Sequence, residues 1–178
     1  SIILEVDPPA HTGTRTVMTR AMSPKAVSAL KDGFKAEAEA LVERLLDLRE
    51  FDAVAELAEK FPLSVFPRAV GLSDPDRDML LGYGSLVFNA LGPDNELRRR
   101  AFANATEINA WIAEHCDRAA LTPGGFGDTI YQAADNGDLS EQEAGLLVRS
   151  LLSAGVDTTV AGIGAAINTG GATRGRSV

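Results

Sequence analysis

One stretch limits what this chain can fold into more than any other. Between Leu146 and Ala166 only Arg149 and Asp157 carry charge, and Leu, Val, Ala and Gly fill most of the rest. A helix that is apolar on most of its sides cannot face water. It is expected to lie buried inside a larger helical body. Ser140 followed three residues later by Glu143 is a capping box, so the helix is expected to start there and run to about Ile167. No uninterrupted apolar run reaches the 18 or so residues of a membrane span, so no spanning segment is expected.

Helical punctuation continues through the rest of the chain. Asp7-Pro8-Pro9 predicts an extended lead-in, because a residue before proline avoids the helical region. A short helix is expected over Ala10 to Ala21. Ser23-Pro24 reads as an N-cap followed by proline at the first helical position. Phe34, Ala38, Leu41, Leu45 and Leu48 then form one stripe on a period near 3.6. A helical stretch from about Asp52 to Val70 should bend or break at Pro62 and Pro67 and stop at Gly71. Ser73-Asp74-Pro75 opens the next helix, to about Asn89, and Gly92-Pro93-Asp94-Asn95 is a turn. One long helix is expected from there to Arg118, with Phe102, Ile108, Trp111 and Ile112 inward. A short helix follows over Asp128 to Ala134. Strand signals are almost absent, so the fold class is all-α.

Charge removes some functions. The net charge of −8 argues against a nucleic-acid partner, since phosphate binding needs clustered Lys and Arg. Arg98-Arg99-Arg100 is too short a run to change that and reads as a solvated helix face. The single cysteine, Cys116, rules out an internal disulfide. Its neighbour His115 gives no metal spacing, because adjacent helical residues point apart.

Two constellations carry chemistry. The first is Ser153-Ala154-Gly155-Val156-Asp157-Thr158-Thr159, inside the apolar stretch. Glycine in a helix interior costs about 1 kcal/mol relative to alanine. Two β-branched threonines and a carboxylate add further cost there. Local rules broken together in one turn often mark a site. A threonine hydroxyl beside an acid can pass protons to a ligand, and a missing side chain at Gly155 can let a flat ligand approach the backbone. A purely structural alternative has Gly155 allowing close packing, Thr158 bonding back to the Ala154 carbonyl, and Asp157 pairing with a base. The second constellation is Asp7-Pro8-Pro9-Ala10-His11-Thr12-Gly13-Thr14-Arg15. His11 and Arg15 lie one helical turn apart and suit a carboxylate or phosphate, with a solvated helix face carrying an ordinary salt bridge as the alternative.

These two runs, in this order, resemble the cytochrome P-450 family. The resemblance covers about residues 1 to 167. It implies the central part of that fold, helices C to I. Residues 168–178 are Gly-, Thr- and Arg-rich without periodicity and read as a non-family tail in loop or disorder. The resemblance implies haem b, with His11 and Arg15 on its propionates and Ala154, Gly155, Thr158 and Thr159 lining the groove over it. Asp157 and Thr158 would be the acid–alcohol pair that delivers protons for O–O cleavage. The closest similarity is to soluble bacterial enzymes that oxidise para-substituted benzoates. It is carried by Pro62-Leu63-Ser64-Val65-Phe66-Pro67, Leu86-Val87-Phe88-Asn89-Ala90, Pro123-Gly124-Gly125-Phe126-Gly127 and Leu147 to Gly155. That group implies Arg149, Ser150 and Ser153 near a substrate carboxylate and Phe88 as an apolar wall. Packing roles, with Arg149 paired to Glu143, are the alternative for these residues. A small substrate, O₂, a ferredoxin-type electron donor and a cytoplasmic setting follow from the same resemblance.

After the central helix, the family's Glu-x-x-Arg helix and Gly-rich cysteine loop do not appear, and Cys116 lacks such surroundings. This chain is therefore expected to be a fragment, inactive on its own and prone to aggregate. The change of composition at Asn168 suggests a frameshift. A non-catalytic helical ligand-binding or interaction module is the other function class left open.

Overall fold

The computed structural model describes residues 3–73 and 75–174. Its described elements are helical, apart from one antiparallel bridge between Leu72 and Leu121. The helices are α1 (Ala10–Ala21), α2 (Pro24–Ala29), α3 (Lys31–Leu46), α4 (Lys60–Val70), α5 (Arg77–Ala90), α6 (Glu96–Phe102), α7 (Ala105–His115), α8 (Phe126–Asp135), α9 (Glu141–Gly155) and α10 (Asp157–Arg174). A π-helical segment, Val54–Glu59, leads into α4, and a 3₁₀ turn covers Arg118–Ala120.

The core gathers around α9. Leu147 and Val148 have no exposed surface, and Ala144, Leu151 and Leu152 are buried beside them. α8 packs along α9, α4, α5 and α7 flank it, and α1 lies over α8. Ile112 of α7, Ile130 of α8 and Val70 of α4 are each fully buried in this cluster. Burying one such side chain stabilises by about 1.5–3 kcal/mol, so the apolar stripe of α9 organises the body. Tyr131 keeps its hydroxyl satisfied in the core by donating to the Cys116 carbonyl at 2.8 Å. The α3 stripe is also inward at Leu41 and Leu45, whereas Leu48 lies beyond the helix and is exposed.

Several boundaries differ from expectation. The lead-in turns rather than extends: the Pro8–Pro9 peptide is cis and Pro9 has φ −85° and ψ −16°. Helix α4 does not break at Pro62 or Pro67. The π-helical segment before it hands carbonyls to donors one residue later, which relieves the demand on the missing N–H of Pro62. Asp76, not Ser73, caps α5, accepting from the N–H groups of Asp78 and Met79. Asp74 of the expected start lies outside the described residues. The long helix expected up to Arg118 is two helices, separated at Ala103-Asn104, and Phe102 at the end of the first is exposed.

The largest correction concerns the apolar stretch. It is two helices meeting at Val156, and only the first is core. In α10 no side chain from Asp157 to Thr169 is fully buried. The stretch from Glu141 to Thr169 is also long and apolar enough, by length and composition alone, to cross a membrane, contrary to the sequence expectation. Its α9 half is used instead as the centre of the helical body. The compositional shift at Asn168 does not end the helix either. α10 continues to Arg174, since extending a formed helix costs far less than starting one. The remainder of the expected tail, 175–178, lies outside the described residues.

The N-terminus of α9 closes as a full capping box. Ser140 accepts from the Glu143 N–H, and Glu143 accepts from both the backbone and the hydroxyl of Ser140. These bonds hold the Glu143 carboxyl below its ordinary value of 4.5. A depressed carboxyl stabilises the fold above its unfolded value and loses that contribution as acid protonates it. Ser140→Ala is expected to cost about 1 kcal/mol of stability. Urea unfolding should show the full difference above pH 4.5, shrinking below it.

Candidate functional site

The junction of α9 and α10 is where the polar residues of the apolar stretch meet. Val156 joins the two helices with φ −94° and ψ −69°. Two threonine side chains serve the carbonyls at the end of α9. Thr158 Oγ1 donates to the Ala154 carbonyl at 2.6 Å, and Thr159 Oγ1 donates to the Gly155 carbonyl at 2.9 Å. Hydroxyls bonded four residues back loosen a helix, and the helix divides between these donors and acceptors.

Gly155 and Ala154 face different neighbours. A Cβ on Gly155 would lie 2.0 Å from Phe66 Cε1 and 2.3 Å from its Cζ. The ring of Phe66, on α4, therefore fills the space beside Gly155. In this structure that glycine permits helix–ring packing and not the approach of a flat ligand. Ala154 and Thr158 are exposed, tied to each other by the 2.6 Å bond. Ala161, Gly162 and Ala165 are exposed further along α10. The open face beside the junction is built from small residues, with one threonine hydroxyl at its start.

Asp157, first in α10, is half-buried. A carboxylate there is favourably placed at a helix N-terminus. No base pairs with it among the described residues, so the pairing considered from the sequence is not formed.

Arg149 is half-buried in α9. It donates to Asn109 Oδ1 at 3.2 Å and stands over the Tyr83 ring, 5.9 Å from its centre. Glu143 is engaged by Ser140 instead, so no acid neutralises Arg149 among the described residues. Ser150 and Ser153 hydroxyls donate to the carbonyls of Leu146 and Ser150. These three side chains share one stretch of α9 but make no direct hydrogen bond to one another. Phe88 is 41% exposed near the end of α5.

His11 and Arg15 lie elsewhere. Both sit on α1, Arg15 exposed and His11 half-buried, and they line a shallow surface groove with Thr19 and Arg20. No residue of α9 or α10 lines that groove. The two constellations are thus on the same body but not in one cavity.

Cys116 is a core residue. It is 2% exposed, and burial pushes its thiol up to about 12 against the opposing charge of Arg149. His115 stacks on Trp111, its ring centre 3.9 Å away. No group of three or more potential metal ligands occurs among the described residues.

Sequence reasoning missed Phe66 as the partner of Gly155, and Tyr83 and Asn109 as the partners of Arg149. It also missed Gly84, which lies against Asp157. Only Gly84 left a local signal, as a second glycine two residues after Gly82 in an otherwise ordinary helix.

No protein-family model matches the chain. It is 53% identical over 168 residues to Cytochrome p450 CYP199A2 of Rhodopseudomonas palustris (strain ATCC BAA-98 / CGA009), covering 94% of this chain and 41% of that protein. Cyclomarin C epoxidase CymV of Salinispora arenicola (strain CNS-205) is 30% identical over 159 residues, 86% of this chain and 40% of that protein. Among solved structures, ligand-free Cytochrome P450 TbtJ1 superposes with a TM-score of 0.67 at 29% identity, over 87% of this chain and 42% of that one. HinD, solved with NMFT and NO, also gives 0.67, at 27% identity over 89% and 40%. The chain thus spans about two-fifths of the length of these relatives.

The packing at Gly155 has a direct consequence. Gly155→Ala would raise helix propensity on an open surface, but here the methyl meets a ring held in α4. It is expected to destabilise the chain by about 1–3 kcal/mol, the cost of overpacking, read as a lower urea midpoint.

Proposed function

The chain belongs to the cytochrome P450 family, and we propose that its helices serve a haem-thiolate monooxygenase that hydroxylates or demethylates a small aromatic acid. The observation that carries this reading is the divided helix. An acid and an alcohol follow one another at the start of α10, just after Val156 and beside an open face of small residues, in the order the resemblance requires. The same resemblance supports a cytoplasmic enzyme fed by a ferredoxin-type donor.

The residues present fit haem b at two places and not at a third. The face running from Ala154 and Thr158 along α10 is exposed and small enough for a flat macrocycle to lie on. Arg15 is exposed, with no acid paired to it among the described residues, and His11 is one turn away, which suits two propionates. Cys116 does not fit as the haem's thiolate ligand. A thiol buried and pushed up to about 12 is neither ionised nor reachable. The thiolate is assigned to none of the described residues. Haem, when bound, supplies the activation of O₂ and the oxidising chemistry.

The chain's own groups would hold and move protons. Thr158 Oγ1 now donates to the Ala154 carbonyl. Turning about χ1 would release that donor toward a ligand over the open face. The Asp157 carboxyl, adjacent in sequence, would replace the proton that Thr158 gives up. Arg149 would bring a cation for the substrate carboxylate, with its guanidinium held by Asn109 and Tyr83 and not by an acid. Ser150 and Ser153 would add hydroxyl donors once turned from their own helix carbonyls. Phe88 would close the apolar side.

Thr158→Ala tests the reading in a haem-loaded protein containing this stretch. Product formed per electron pair is expected to fall by about tenfold or more while electron consumption continues, because the proton donor is lost but the binding face is kept. An unchanged yield would overturn the relay role of Thr158.

A further inference from the structure

We propose that Gly84 is a positioning residue for the Asp157 carboxylate. The inference rests on the proton-relay reading of Asp157. It adds a residue, on a different helix, that decides where the acid stands.

Gly84 lies inside α5 and is buried, a place where alanine would be the better helix former. Its missing side chain is explained by what lies opposite. A Cβ at this position would come within 2.9 Å of Asp157 Cβ, 3.2 Å of its Cγ and 3.3 Å of its Oδ1. Gly82, two residues earlier, differs in a useful way. The closest atom there is Cδ1 of Ile108, the far end of a flexible side chain, at 2.8 Å. The atoms facing Gly84 belong to a short side chain whose Cβ is fixed by the backbone of α10. They cannot swing aside without moving the carboxylate or the helix.

No hydrogen bond or ion pair to the Asp157 side chain is found among the described residues, so no directional bond aims the acid. The shape of the surface it rests on does so instead, and that surface is the bare backbone of α5 at Gly84. Phe88 lies one turn further along the same face of α5. The helix that would present an apolar wall to the substrate thus also seats the acid that would supply the proton. A shift of α5 would move both together.

The test uses the full 178-residue chain and the sign of a stability change. Freed of the contact, Gly84→Ala should raise the urea midpoint, as expected of alanine in a helix interior. With Asp157 in place it is expected to lower the midpoint. In an Asp157→Gly background the same substitution is expected to raise it. The same sign in both backgrounds would overturn the proposal. Should Asp157→Gly fail to fold, cross-relaxation between the Gly84 α protons and the Asp157 β protons decides. Strong cross-peaks in the unsubstituted chain support the contact, and their absence overturns it.

A functional arm separates positioning from mere packing. In a haem-loaded protein containing this stretch, Gly84→Ala should lower product per electron pair several-fold, and should add nothing when Asp157 is already Asn. An additional loss on top of Asp157→Asn would overturn the positioning role. If Asp157→Asn alone leaves the yield intact, the relay reading of the acid fails, and the positioning role falls with it. The contact itself is still judged by the midpoints.

Discussion

Leu147, Val148, Leu151 and Leu152 turn one side of α9 almost wholly away from water, and most of the other helices are placed by the need to keep it there. α8 covers it lengthwise, α4 and α5 close the flanks, and the ring of Phe66 reaches the backbone at its last residue, Gly155. That apolar burial stops where Val156 ends it. Beyond the junction the chain is still helical and still largely uncharged, yet it lies on the surface. One continuous apolar pattern in sequence therefore does two physical jobs. Its first half pays for the fold, and its second half offers an uncovered face.

The junction between these halves is made by side chains and not by a proline. Thr158 and Thr159 give their hydroxyls to the carbonyls of Ala154 and Gly155. This arrangement explains why residues poor in helix formation are concentrated there. They open the helix and keep its carbonyls satisfied. In the proposed function the same hydroxyl that holds the junction would be the donor released to a ligand. Structure and chemistry would then compete for one proton, which suits a group that must give it up and take it back.

Much of this was legible from the residues alone, because it rests on local rules. Ser140 and Glu143 predict the start of α9, and Gly71, with φ 120°, ends α4 as expected. The polar step at 153–159 was visible as a cluster of costly choices, and the structural alternative of close packing at Gly155 with a Thr158–Ala154 bond is the arrangement formed. What could not be read were the long-range partners. Nothing near Gly155 names Phe66, nothing near Arg149 names Asn109, and nothing near Asp157 names Gly84. The burial of α10 was misjudged for a related reason. An apolar composition states that a surface wants cover, but not whether the described residues supply it. The break at Ala103-Asn104 was hidden because the flanking residues keep a helical pattern on both sides.

Hydrogen–deuterium exchange across Glu141–Thr169 tests the central claim, that this apolar stretch divides at Val156. Amides in the first turn of a helix have no partner within it. Slow exchange is expected from Leu147 to Leu152, where α9 is buried, and fast exchange at Asp157, Thr158 and Thr159. Uniform protection through the junction would mean one unbroken helix and would contradict it.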